Sequence, residues 1–472
     1  MRHSNQGRFR HQVQFLRRQF LQDGDLPFTD VLSEDLVTRT LTAVGVFWND
    51  RIYTPLVTLW VFLSQVLSAD HSCRAAVARL IAHLVSRGEK PCSAQTGAYC
   101  QARERLPEKF FADVACSVGR ALDAKADPRW LWKGRRVYMF DGTTVSMPDT
   151  AANQKAYPQV YNQKSGLGFP IARIGAVVSL CCGTILNLGV CRYAGKGQSE
   201  LGLLRTLWDL FQPGDVLLAD RLMCTWTEMV MLKQRGVDSV CRFSSHRKAD
   251  FRRGKRLAHG DHIVEWPKPA KPRSIDRETY AALPEFLMLR ECRVRVAQPG
   301  FRIKTLTIAT TFLDKDEFTK TDLTQLYRAR WNNELDLRSI KSTMQMDELR
   351  CKTPELVRKE IWTHVLAYNL IRTVAAQAAA THGLQPRSIS FKGALQTLEA
   401  FQPLIEFQPR HDAAHLHALY QHLLRAIATH QVADRPDRFE PRAKKRRRDH
   451  FAWLTEPRQE LKRKMAKGFT KI

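Results

Sequence analysis

The sequence predicts an α/β protein whose sheet-bearing central region is flanked by helical regions at both ends. Three observations predict it. Residues 1 to about 130 repeat apolar side chains at three- and four-residue spacing. From Arg136 the texture turns to short apolar runs in the order β-β-β-α-β-α-β. From Thr353 to about His430 the helical spacing returns. The chain has 472 residues, which suggests roughly two to four domains. A hydrophobic fraction of 44% is enough for buried cores.

Taken in order, helices are expected over 53–68, 73–86 and 97–120, interrupted by Gly88 and Pro91. Arginines such as Arg8, Arg10, Arg17, Arg18, Arg74 and Arg103 are interleaved with the apolar positions. This suits a small helical DNA-binding module, and equally a helical packing or dimerisation region. Residues 137–140 read as a strand that Asp141-Gly142-Thr143-Thr144 ends in a turn. A polar loop over 148–168 follows. Two β runs come next, 171–180 and 184–193, joined by a turn at Cys182-Gly183. A helix over 199–211, a strand over 215–219 ending at Asp220, a helix over 226–234 and a strand over 239–243 complete the run.

Residues 246–315 change character. Arg247, Lys248, Arg252, Arg253, Lys255 and Arg256 precede the segment EWPKPAKP, and alternating runs at 291–296 and 302–311 follow. The stretch reads as a basic, β-rich insertion. Trp266, between basic residues, could stack on an unpaired base, though ordinary packing in an extended segment is the favoured reading. A long amphipathic helix is expected over 353–376. In the tail, 442–448 holds six Lys or Arg in seven residues, and Lys462, Arg463 and Lys464 cluster again. Such runs bind polyanions without sequence preference and are usually disordered.

The strongest chemical signal is the stretch 327–341, YRARWNNELDLRSIK. Read as one helix, it stacks Tyr327, Arg330, Glu334 and Lys341 on a single face. A phenol, a guanidinium, a carboxylate and an ammonium in a row suit a site that holds a metal on Glu334 and phosphate oxygens on the cations. Taken alone, the same helix also fits a solvated face with an Arg330–Glu334 ion pair. Two further acids change the weight. Asp141 and Asp220 follow apolar strands, where a sheet presents reactive groups. Their separations are 220 − 141 = 79 and 334 − 220 = 114 residues. Three such carboxylates can hold two divalent ions for in-line attack on phosphorus, and Mg²⁺ suits that role.

Composition narrows the partners. The net charge is +27 and the pI near 9.9, which points to a polyanion, most simply nucleic acid. A glycosidase, which also uses paired acids, fits neither the charge nor the cationic helix. The 11 cysteines show no CxxC pair and suit a reducing compartment. The first residues, MRHSNQGRFRHQVQF, lack the apolar centre of a secretion signal, and the apolar run near 55–67 is too short to span a bilayer. A cytoplasmic protein with no membrane partner is therefore expected.

Tyr327, Arg330, Glu334 and Lys341 fit the pattern Y-x2-R-x3-E-x6-K. In this the chain resembles the DDE transposases of bacterial insertion sequences, in the insertion-sequence-four family. Asp141 in DGTTVSMPD, followed by NQKAYPQ, looks like that family's first catalytic Asp, and Asp220 in LLADR like its second. The stretches TLWVFLSQVLSADHSC, SAQTGAYCQAR, RCKTPELVRKEIW and EPRAKKRRR are also similar. The resemblance implies an RNase H-like catalytic domain over 131–380, with the β insertion at about 246–315. It implies a DNA-end-binding helical domain over 1–130. Region 381–472 would then serve dimerisation and DNA contact. It further implies two Mg²⁺ ions, with Mn²⁺ able to substitute, on Asp141, Asp220 and Glu334. The activity implied is cut-and-paste transposition of double-stranded DNA through terminal inverted repeats and target DNA, by a synaptic homodimer associated with the nucleoid. Tyr327, Arg330 and Lys341 would contact phosphates near the cleaved end, and Trp266 would stack on a base of a hairpin intermediate. A metal-dependent nuclease that cuts without joining, and a transposase-derived DNA binder without chemistry, are the competing readings. Three acids that repel DNA have no use in a pure binder.

Overall fold

Among the described residues nine strands make one sheet. In chain order they are β1 (Val137–Ser146), β2 (Ile171–Ser179), β3 (Ile185–Arg192), β4 (Val216–Ala219), β5 (Asp238–Arg242), β6 (Lys255–Ala258), β7 (Asp261–Pro267), β8 (Phe286–Arg295) and β9 (Thr305–Thr310). Across the sheet they run β3-β2-β1-β4-β5-β9-β8-β7-β6. The first three are antiparallel, and β4 and β5 are parallel to β1. This half is the RNase H-like arrangement. β9 joins β5 antiparallel, and β8, β7 and β6 continue as a meander, so the basic insertion widens the same sheet. The computed structural model describes residues 2–46, 48, 51–244, 247–295, 305–406, 413–432 and 453–467.

The helices are α1 (Arg2–Arg18), α2 (Glu34–Ala43), α3 (Pro55–Leu67), α4 (Cys73–Ser86), α5 (Gly97–Arg105), α6 (Glu108–Ala124), α7 (Ala151–Ala156), α8 (Glu200–Thr206), α9 (Trp226–Gln234), α10 (Arg277–Ala281), α11 (Lys320–Ala329), α12 (Trp331–Arg338), α13 (Pro354–Thr381), α14 (Phe391–Glu406), α15 (Ala413–Thr429) and α16 (Arg458–Ala466). Their starts are written locally. Ser33, Thr54, Ser72, Thr225 and Thr353 each cap a helix by accepting a backbone N–H with the side chain. Thr319 and Asp322 form a reciprocal capping box at α11.

Period-two alternation along β1 divides the core. Val137, Met139 and Val145 join a core shared with α3, α6 and α13, whereas Tyr138 and Phe140 join one beneath α8 and α9. The N-terminal helices pack into the first core with the sheet, Phe62 of α3 and Phe110 and Phe111 of α6 being fully buried. Each such side chain stabilises the fold by about 1.5–3 kcal/mol through burial.

Several sequence expectations are corrected. The helix expected over 97–120 is broken at Pro107, which stands at the N-cap of α6 and lacks the N–H a continuous helix needs. The 148–168 loop holds the short helix α7. The helix expected over 199–211 stops at Thr206 and ends in a 3₁₀ turn, Trp208–Leu210. α13 is not amphipathic: Lys359, Glu360, His364, Asn369 and Arg372 are buried together with its apolar residues. Its polar groups find internal partners, as when Lys359 donates to the carbonyls of Arg103 and Glu104. Lys462, Arg463 and Lys464 lie on α16, where Lys464 pairs with Glu456. The cluster at 442–448 lies outside the described residues.

Candidate active site

Asp141 does not end its strand. β1 runs on through Asp141 to Ser146, because Thr143, Thr144 and Val145 are strand formers and pair with Ile174, Arg173 and Ala172 of β2. What ends there is the neighbour. β4 pairs with β1 only at Val137↔Val216, Tyr138↔Leu217 and Met139↔Leu218. Each of these pairs is 79 apart in sequence, and so are Asp141 and Asp220. Continuing that register past Ala219 sets the two acids level on adjacent strands. With a period of two, both share the face of Met139 and Leu218.

The stretch 327–341 is not one helix. α11 ends at Ala329, α12 starts at Trp331, and a π-helical turn covers Ser339–Thr343. Arg330 sits at the joint between α11 and α12. Its Nη2 donates to Glu334 Oε1 at 2.7 Å, and its Nη1 lies 3.8 Å from Asp141 Oδ2. One guanidinium therefore links the first and third acids. Its Cζ lies 6.0 Å from the Tyr327 ring centroid. Burial pushes the Tyr327 phenol up to about 12. Lys341 falls on the π-helical turn, beyond the end of α12, and makes no ion pair with a described residue.

Asp336 holds α12 in place. It is buried, and its carboxylate accepts from Tyr368 Oη at 3.0 Å, Arg372 Nη2 at 2.5 Å and Arg387 Nη1 at 2.6 and 2.8 Å. These bonds tie the Glu334 helix to α13 and to the turn after it.

The Asp141 carboxyl is raised to about 6, chiefly by burial, with the Gly142 N–H and Arg330 pulling it back and Asp220 and Glu200 adding to the rise. Its Oδ1 accepts from Gly142 N–H at 2.8 Å. Asp220 Oδ1 accepts from Leu222 N–H at 2.7 Å. Acids crowded together with one shared guanidinium fit a divalent cation, which supplies the missing positive charge. The acids are not drawn into a closed cage. Among the described residues, the set of three ligating side chains with all atoms within 4.8 Å is Asp123, Cys181 and Cys182. There Asp123 already accepts from Arg136 and Tyr138.

Trp266 lies inside the protein. It is 3% exposed, its Nε1 donates to Glu291 Oε1 at 2.7 Å, and the Arg247 guanidinium covers its ring at 3.8 Å. Its ring is buried, with the Arg247 guanidinium stacked over it. The exposed indole near the acids is that of Trp331, 45% exposed, on the helix that carries Glu334. Glu200, at the start of α8, went unmarked by any motif. The signal for it lay in glycines within strand patterns, which mark close approach of another element.

The model of the transposase DDE domain family matches residues 132–370, half of the chain and the whole of this site. The chain belongs to that family. Transposase InsG for insertion sequence element IS4, from Escherichia coli (strain K12), is 26% identical over 370 residues, covering 77% of this chain and 79% of that protein. The putative transposase InsL for insertion sequence element IS186A, from the same strain, is 39% identical over 61 residues, 13% of this chain and 16% of that protein. A cryo-EM structure of the piggyBac transposase synaptic complex with hairpin DNA is similar over 83% of both chains, with a TM-score of 0.43 and 9% identity. This transposase is thus a phosphoryl-transfer enzyme of DNA in the insertion-sequence-four family, dependent on divalent metal. Among the described residues no helix is long and apolar enough to cross a membrane.

Proposed function

We propose that the transposase recognises the terminal inverted repeats of its own insertion sequence, cuts there and joins the freed ends to target DNA. Asp141, Asp220 and Glu334 are the metal-holding acids in this reading. The observation that carries it is the shared offset of 79, which levels Asp141 with Asp220, together with the Arg330 contact from Asp141 to Glu334. Two Mg²⁺ ions, replaceable by Mn²⁺, would supply a nucleophilic water or 3′-hydroxyl and charge for the leaving oxygen. Arg330, which balances two of the acids in the free protein, turns to a phosphate oxygen when DNA enters. Tyr327 and Lys341 hold further phosphates of the cleaved end. Trp331 replaces Trp266 as the aromatic that meets a base.

The helical region 1–130 binds the DNA ends, residues 131–380 carry the chemistry, and 381–472 adds DNA contact and dimerisation in a synaptic homodimer. The enzyme acts in the bacterial cytoplasm on the nucleoid. The test is cleavage of a labelled fragment bearing the element's own repeats, with Mg²⁺ or EDTA. Asp141→Ala, Asp220→Ala and Glu334→Ala should each abolish cutting and leave DNA binding nearly unchanged. Normal strand transfer by any one of them removes that residue from the site. Cut ends that are never joined would instead mark a nuclease.

A further inference from the structure

Three glycines stand in one row across the sheet. Gly142 of β1 pairs with Gly175 of β2, and Gly175 pairs with Gly189 of β3. Their missing side chains are filled by α8. A Cβ on Gly189 would lie 2.8 Å from Leu203 Cδ2. One on Gly175 would lie 2.8 Å from Phe140 Cζ and 3.1 Å from Leu203 Cδ1. One on Gly142 would lie 2.5 Å from the Glu200 carboxyl carbon and 2.6 Å from its Oε1. Glycine inside a strand costs stability, so a row of three is explained by what it admits. Here it admits a helix whose first residue lays a carboxylate on the backbone beside Asp141. Ser199 fixes the start of that helix by accepting the Gly202 N–H at 3.1 Å.

The route to the acids is open. Beyond Met139, β1 has no ladder partner on the β4 side, since β4 ends at Ala219. Glu200 lies over Gly142, on the face opposite Asp141, near enough that its charge is felt at Asp141 and that of Asp220 is felt at Glu200. Its paired cation, Arg173, is 4.0 Å away and is also engaged with the Gln198 carbonyl at 2.9 Å and the Tyr193 ring. Burial, and to a smaller degree the charge of Asp220, raises the Glu200 carboxyl, with Arg173 opposing. Four carboxylates against Arg330 and Arg173 leave a formal charge of −4 + 2 = −2. Divalent cations supply the missing positive charge.

We propose that Glu200 is a fourth carboxylate of the metal site, seated by the glycine row so that it shares a divalent cation with Asp141 and Asp220. This rests on the reading of Asp141, Asp220 and Glu334 as the metal-holding acids. The test is Mn²⁺ titration of the full-length protein without DNA, followed by electron paramagnetic resonance. Glu200→Gln should weaken Mn²⁺ binding by about tenfold or more, the loss seen when a group supporting a metal is removed. Gly142→Ala should do the same, because its methyl displaces the carboxylate. Added to Glu200→Ala, it should cost nothing further, which assigns its effect to Glu200. If Glu200→Gln binds Mn²⁺ like the unaltered protein while Asp141→Asn does not, the fourth ligand is refuted and the three acids stand. If both variants bind like the unaltered protein, the reading of the acids fails and Glu200 falls with it.

Discussion

At the scale of single residues, Asp141 carries a cost that the rest of the fold offsets. Burial lifts its carboxyl from the ordinary 3.8 to about 6. Between those values the folded chain keeps a proton that the unfolded chain has released. Stability therefore falls as pH rises through that window, and the penalty is constant above it. Two units correspond to about 3 kcal/mol at most. Asp141→Asn should thus raise the melting temperature of the metal-free protein at pH 8, and the gain should shrink as pH falls toward 4. Thermal unfolding in EDTA at several pH values checks this. An Asn variant that melts lower at pH 8 would show that Asp141 is stabilised as an anion. Metal binding should likewise weaken as pH drops through 6, where Asp141 takes up its proton. That this acid follows an apolar strand segment was legible in the sequence, whereas the continuation of the strand through it was not. The burial of Trp266 was not legible, because it depends on Glu291 and Arg247, which local sequence does not place beside it.

Among elements, α12 decides whether Glu334 is in place. The periodicity of 327–341 disclosed a helix and its charged face. It did not disclose the joint at Arg330 or the π-helical turn at Lys341, because both arise where the chain packs between the sheet and α13. Asp336, which no spacing on that stretch singles out, is the anchor. Asp336→Ala would leave Arg372 and Arg387 buried without their carboxylate. The expected loss is about 3–5 kcal/mol in urea unfolding, the usual cost of stranding a buried charge. DNA cleavage should fall with it even where the protein remains folded, since Glu334 loses its support. A loss below about 1 kcal/mol would mean that apolar packing alone holds α12. The strand register shows the opposite case. The separation of 79 was visible in the sequence, but its meaning appeared only when β1 and β4 were seen to pair at the same offset. Sequence separation becomes geometry once the ladder that joins two strands is known.

Across the whole molecule, charge governs how DNA is met. Residues 441–472 contain 12 Lys or Arg and 3 Asp or Glu, so their net charge of +9 is a third of the total of +27. The basic character was plain from composition. Its concentration near the end of the sequence was visible too, in the run KKRRR and in Lys462, Arg463 and Lys464. Each phosphate neutralised by a Lys or Arg adds about 0.9 to the slope of log affinity against log salt on duplex DNA. A protein with many such contacts should therefore lose affinity steeply between low and moderate salt. A chain ending at residue 440 should bind random-sequence duplex more weakly and show a shallower slope, while its preference for the element's own ends is retained. Fluorescence anisotropy on both DNAs over a salt series separates the two effects. An unchanged slope would move the non-specific contacts off the tail and onto the folded body. There the interleaved arginines of the N-terminal helices and of the β insertion are the remaining dense sources of positive charge.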